Sequence, residues 1–204
     1  SQKGFMLPAG LAILGFSEKA MQATETAQHY RTFFDVQDMV KGYAANAYPY
    51  TPAVGLMNGL NEACKMLLDE GLENVFVRHH RMAEGVRAAV QAWGLKLCAE
   101  TPDVYSDTVS AIRTPDGFNA TDIVTHAAST YGVAFGVGLG DVAGKVFRIG
   151  HLGSLTDVMA LSGIATAEMC MVDLGLDIKL GSGVAAAQEY YRHGAPISQK
   201  VAAE

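Results

Sequence analysis

Hydrophobic positions follow a helical period through much of the first half of the chain and give way to a strand-rich texture beyond Gly94. Residues 1–16 are small and apolar, with Pro8 and Gly10 as breakers, and predict a strand that leaves Lys3 and enters a turn. Ser17-Glu18-Lys19 opens a short helix. From His29 to Pro52 aromatic residues, Gly42 and Pro49 dominate, no period is sustained, and the segment reads as loop. Thr51-Pro52 then offers an N-cap and a proline at the first helical position. The helix it predicts places Ala53, Met57, Leu60, Cys64 and Leu67 at steps of four and three, and Gly71 stops it. A second helix over 73–92 carries Val75, Phe76, Met82, Val86, Ala89 and Trp93 on or near one face, with Gly94 as its brake.

Past Gly94, residues 95–98 and 108–113 predict strands, 121–131 a helix ended by Gly132, and 133–136 and 145–149 two further strands around a glycine-rich turn. Ser154-Leu-Thr-Asp157 has the spacing of a capping box and predicts a helix to about Leu174, with a tail helix over 184–191. Helix, strand, strand, helix, strand, strand, helix is the order of a small α/β domain whose sheet is covered by helices on one face. No internal repeat or low-complexity tract interrupts it.

Composition narrows the functional classes. Of 204 residues, 50% are hydrophobic and 18% charged, enough apolar mass for one or two folded domains. The net charge of −6 is scattered, without a basic stripe, so nucleic acid is not an expected partner. Apolar stretches such as Gly132 to Gly140 are glycine-broken and far below the roughly 20 residues of a membrane helix, so no membrane partner is expected. Three distant cysteines, Cys64, Cys98 and Cys170, leave at least one unpaired and fit a reducing, cytoplasmic compartment. The start at Ser1-Gln2-Lys3-Gly4, without Met or signal-peptide pattern, reads as an internal fragment or a processed chain, and residues 200–204 do not form a peroxisomal address.

Three segments can carry chemistry. A lysine amine can condense with a carbonyl cofactor in its neutral form, and Lys3 has the apolar neighbours Phe5, Met6 and Leu7 to desolvate it, although a lysine in such a place is more often solvated surface. Tyr48-Pro49-Tyr50-Thr51-Pro52 ahead of a helix offers hydroxyls and helix N-terminal amides that suit a phosphate, or simply a turn and a cap. Arg148, in an apolar strand between Gly144 and Gly150, is suited to grip a carboxylate or phosphate with two parallel bonds, or to form a structural ion pair. Other signals fail. Gly136-Val-Gly138-Leu-Gly140 is not a dinucleotide fingerprint, and the run from Gly140 to Val146 is one residue short of a P-loop. His79 and His80 are adjacent on a helix, about 100° apart, so they cannot chelate one metal, and no metal site is expected.

Together, Ser1-Gln2-Lys3-Gly4 with its proline and glycine turn, Tyr48-x-x-Thr51, and Arg148-Ile-Gly-His-Leu-Gly153 resemble, in order, the motifs of class V aminotransferases dependent on pyridoxal 5'-phosphate, of the serine–glyoxylate and alanine–glyoxylate type. Ala9 stands where many relatives have a second proline. The resemblance implies an α/β protein of fold-type I, with residues 1–70 ending the large cofactor domain and 71–204 forming the C-terminal small domain. It implies that Lys3 carries the cofactor and moves the substrate proton, that Gln2 helps hold the phosphate, and that Tyr48 and Thr51 reach the phosphate of the partner subunit in a homodimer. Arg148 then binds the α-carboxylate of the amino-acid or 2-oxo-acid substrate. Residues that sandwich the cofactor ring belong to the N-terminal half of the same polypeptide, so this segment alone is not expected to hold the cofactor. Cysteines on predicted helices and a strand, rather than on a loop, disfavour the desulfurase branch. Glyoxylate is the implied acceptor and serine the leading donor, with aspartate or alanine as alternatives. A non-catalytic α/β binding or assembly domain is the reading from another class.

Overall fold

The structure, a computed structural model, describes residues 1–193, and the chain divides into two compact units, Ser1–Met66 and Leu67–Glu204. The end of the predicted small domain, residues 194–204, lies outside the described residues, and with it the C-terminal segment expected not to form a peroxisomal address.

In the first unit the predicted strand over 1–16 does not form. The Met6 N–H donates to the Lys3 carbonyl at 2.9 Å and the Leu7 N–H to the Ser1 carbonyl at 3.3 Å. The Ser1 hydroxyl donates to the Pro8 carbonyl at 2.8 Å and accepts the Leu11 N–H at 3.1 Å. These local bonds occupy groups that a strand ladder would need. Helix α1 (Glu18–Thr26) begins where expected, with Ser17 Oγ accepting the Ala20 N–H at 3.2 Å. The predicted loop over 29–52 is corrected: it contains a 3-10 turn, Thr32–Phe34, and helix α2 (Val36–Ala44), capped by Asp35, whose Oδ1 accepts the Gln37 N–H at 2.9 Å. With nine residues and a glycine inside it, this helix is too short to establish a period. Gly42 is required there, since a Cβ would lie 3.0 Å from the Ala47 carbonyl and 3.1 Å from Pro49 Cδ as the chain doubles back.

Helix α3 (Val54–Glu70) starts later than predicted. Its first amides are served by carbonyls, Val54 N–H to Pro52 at 2.9 Å and Met57 N–H to Ala53 at 3.0 Å, so Thr51 is not its cap. The Lys3 segment lies along this helix: Leu7 Cδ2 stands 2.7 Å from where a Gly59 Cβ would be, and Leu56 Cδ1 stands 2.6 Å from that of Gly10.

In the second unit the end of α3 is followed by α4 (Leu72–Ala92), which begins after Gly71 at φ +84° and stops before Gly94 at φ +70°. Then come β1 (Lys96–Leu97), β2 (Val109–Arg113), α5 (Ala120–His126), β3 (Gly136–Val137), β4 (Val146–Gly150), α6 (Asp157–Asp173) and α7 (Ser182–His193). The expected strand over 133–136 forms two residues later in its centre, and Cys98 lies just past β1 rather than within it. Ser154 does not cap α6. Thr156 does, because it is the last extended residue, and its Oγ1 accepts the Met159 N–H at 3.3 Å.

The sheet runs β1-β2-β4-β3, all antiparallel. Alternation divides its two faces. Ser110 pairs with Ile149 and Ile112 with Phe147, and this row packs into a core with Met82, Val86, Ile123, Ile164 and Met171. Burying side chains such as Ile112 and Phe147 contributes roughly 1.5–3 kcal/mol each. The opposite face carries Ala111, Arg148 and Gly136 as cross-strand neighbours.

Candidate active site

Lys3 is exposed, at the corner of the turn closed by Met6. The desolvation expected from Phe5, Met6 and Leu7 is therefore not provided: those residues are half-buried while the turn leaves Lys3 in solvent. Met6 adopts φ +57°, a left-handed conformation that costs a residue other than glycine on the order of 1 kcal/mol. That strain sits three residues from the candidate nucleophile. Gln2 is exposed beside it.

Tyr48 and Thr51 lie together in the exposed segment between α2 and α3. Because carbonyls serve the start of α3, the Thr51 hydroxyl has no hydrogen-bond partner among the described residues, and neither has that of Tyr48. Both oxygens are available to a ligand.

Arg148 stands on the open face of the sheet in the second unit. Its Nε donates to the Val137 carbonyl at 2.9 Å, which orients the guanidinium along β3. No carboxylate pairs with it among the described residues, and its Nη1 and Nη2 make no hydrogen bond there. The structural ion pair that the sequence left open is therefore not formed within this chain's described residues. The arginines of α4 contrast with it. Arg78 pairs with Glu70 at 2.7 Å, Arg81 with Asp157 at 2.8 Å, and Arg87 with Asp107 at 2.9 Å.

Sequence reasoning missed the groups that hold the segment after Arg148. His79 Nδ1 donates to the Val75 carbonyl at 2.8 Å, which leaves Nε2 to accept the Gly153 N–H at 3.0 Å. His151 Nδ1 donates to the Asp107 carbonyl at 3.0 Å, and its Nε2 accepts the Ser110 hydroxyl at 3.0 Å. Burial holds His151 neutral, its pKa pushed down to about 4, with the nearby Arg87 charge acting in the same direction. A histidine between two glycines next to a strand was the only signal available, and it does not distinguish a core residue from a ligand.

No family model matches the chain. It is 72% identical over 203 residues to the L-aspartate–glyoxylate aminotransferase of Paracoccus denitrificans, which covers 100% of the chain and 51% of that protein. It is 52% identical over 200 residues to the serine–glyoxylate aminotransferase of Hyphomicrobium methylovorum, covering 97% of the chain and 49% of the relative. The chain thus spans about half the length of the curated relatives it matches. Among solved structures, ureidoglycine–glyoxylate aminotransferase from Bacillus subtilis superposes with a TM-score of 0.86 at 24% identity, over 94% of this chain and 50% of that one. The fold is that of the fold-type I aminotransferases that use pyridoxal phosphate. Within that class, its homologues are serine– and aspartate–glyoxylate aminotransferases, each matched over about half of its length.

Proposed function

We propose that this chain supplies the substrate-carboxylate and cofactor-anchoring residues of a pyridoxal-phosphate aminotransferase that converts glyoxylate to glycine. The observation that carries the reading is Arg148: a guanidinium oriented by one backbone bond, with its two terminal nitrogens unspent and no carboxylate paired to it among the described residues. Such a group suits an α-carboxylate gripped at two points. The exposed Lys3 amine and the unspent Tyr48 and Thr51 hydroxyls have the chemistry that a phosphate-bearing aldehyde requires, so the residues present fit the cofactor. Lys3 would hold it, with Gln2, Tyr48 and Thr51 at the phosphate, the last two across the subunit boundary of a homodimer. When bound, the cofactor supplies an electron sink for the bond to the substrate Cα. Lys3 Nζ would take the proton from the substrate Cα as base and, once protonated, serve as the acid that gives it up again, and Arg148 would hold the substrate carboxylate at two points.

On this reading residues 1–70 complete a large cofactor domain and 71–204 a small one, and the remaining ring contacts come from the N-terminal half of the polypeptide. The exposed Leu14, Tyr30, Phe34 and Tyr43 of the first unit support further polypeptide covering that surface. The sequence reading put serine first as donor. The 72% identity to an aspartate–glyoxylate enzyme favours L-aspartate over serine, for which the corresponding identity is 52%. Cytoplasmic residence is part of the same proposal. Among the described residues, no helix is long and apolar enough to cross a membrane.

The test uses the complete protein with glyoxylate as acceptor and aspartate, serine and alanine as donors. Aspartate should give the highest kcat/KM, and Lys3→Ala should abolish turnover with every donor while the melting temperature stays near that of wild type. Undiminished turnover in Lys3→Ala would refute the assignment.

A further inference from the structure

We infer that Gly136 is a positioning residue for the substrate carboxylate, acting through Arg148. This rests on the carboxylate role proposed for Arg148 and adds what sets the guanidinium's place. Gly136 lies directly across from Arg148 in the β3–β4 register. A Cβ built on it would stand 3.0 Å from Arg148 Nε, 3.2 Å from its Cβ and 3.3 Å from its Cζ. All three are tighter than ordinary contact, and they run from the base of the side chain to the guanidinium carbon. The arginine therefore lies across the backbone of β3 in the space a side chain would fill. Only with that space empty does Nε reach the Val137 carbonyl, at 2.9 Å. Gly136 needs no unusual backbone for this, since it is not among the glycines at positive φ. Its lack of a side chain is explained by Arg148.

The other flank agrees. Ala111 is the cross-strand neighbour of Arg148 on β2, so the row reads Ala111, Arg148, Gly136. In the register Arg148 thus stands between an alanine and a glycine. A β-branched residue at 136 cannot coexist with it, because Arg148 Cβ is fixed by the sheet and cannot retreat. The outer part of the side chain must then lift off β3, break its bond to Val137 and turn its terminal N–H groups away from where a carboxylate would sit. Misplacement on the order of 1 Å costs up to about a hundredfold in rate.

The experiment uses the complete, cofactor-loaded protein and measures kcat/KM with aspartate, together with the Ki of propionate, a monocarboxylate that can be gripped but not transaminated. Gly136→Val should raise the propionate Ki and lower kcat/KM by roughly tenfold or more, mainly through KM, with cofactor absorbance retained. Gly136→Ala, the milder change, should move both in the same direction by a smaller factor, and it carries the test if the valine variant does not fold. In an Arg148→Gln background the Gly136→Ala change should have no further effect on Ki, which a merely structural glycine would not predict. If Arg148→Gln leaves Ki and KM at wild-type values, the carboxylate role of Arg148 fails, and this inference with it. If Arg148→Gln weakens binding but Gly136→Ala does not, or if the two losses are additive, the role of Gly136 alone is overturned.

Discussion

His151 makes acid sensitivity a quantitative property of the second unit. It is 1% exposed, and its two ring nitrogens are committed as donor to the Asp107 carbonyl and acceptor from Ser110. A second proton would have to displace the Ser110 hydroxyl hydrogen from Nε2 in a site already unfavourable to charge. The folded-state pKa is accordingly depressed from 6.5 to about 4. The sign follows from linkage. The unfolded chain takes up the proton as pH falls through about 6.5, whereas the folded chain resists until about 4, so stability is lost progressively between those values and not below them. The full interval corresponds to roughly 3 kcal/mol at about 1.4 kcal/mol per tenfold, and most of it falls between pH 7.5 and 4.5. Urea unfolding of wild type and His151→Gln at both pH values isolates the contribution, because other titrating groups cancel in the double difference. Wild type should lose about 2–3 kcal/mol more than the variant over that interval. Equal losses in the two proteins would mean that His151 takes up its proton as readily in the folded as in the unfolded chain, and the burial argument would be wrong.

Two further substitutions probe other parts of the chain. Thr51→Ala should weaken retention of pyridoxal phosphate, read as the dissociation constant of cofactor from the complete enzyme, while leaving kcat at saturating cofactor within about twofold, because the hydroxyl caps no helix here. A large stability loss instead would return Thr51 to a structural role. Glu168→Gln should cost about 2 kcal/mol in urea unfolding, since the buried carboxylate accepts from Trp93 Nε1 at 2.8 Å and from the amides of Gly181 and Gly183 at the start of α7, and glutamine must turn a donor toward one of them.

What the sequence made legible follows from the range of the interactions concerned. Helices α3 and α4 were readable because their hydrophobic residues recur at helical spacing, the strands around Ile112 and Phe147 because theirs alternate, and α6 from the polar capping spacing ahead of it, although Thr156 rather than Ser154 is the cap. Helix α2 was not, since its stability lies in the Asp35 cap and in the return of Ala47 and Pro49 over Gly42 rather than in a period. The strand expected from Lys3 onward failed for a similar reason: Ser1 ties the segment into a turn through bonds to Pro8 and Leu11. At the proposed site, the residue types of Lys3, Tyr48, Thr51 and Arg148 were visible in the motifs. Gly136, across the sheet from Arg148, and His79, which accepts the Gly153 N–H, were not, because each meets a residue distant in sequence through a register or hydrogen bond that only the fold creates.

The same sheet also explains why Arg148 can lack a carboxylate partner among the described residues at tolerable cost. A fully buried guanidinium without a carboxylate would be expensive, and the buried arginines of α4 each have a carboxylate partner. Alternation along β4 puts Phe147 and Ile149 into the core and turns the intervening Arg148 to the opposite, half-buried face, where solvent can serve its terminal nitrogens. Core residues on one side hold the strand in register, and the single bond to Val137 orients the charge on the other. The arginine thus adds little to stability. Its orientation and unspent donors are most simply understood as a requirement of whatever anion it meets. Among the groups such an anion could carry, a planar carboxylate matches the exposed edge of the fork by two parallel bonds.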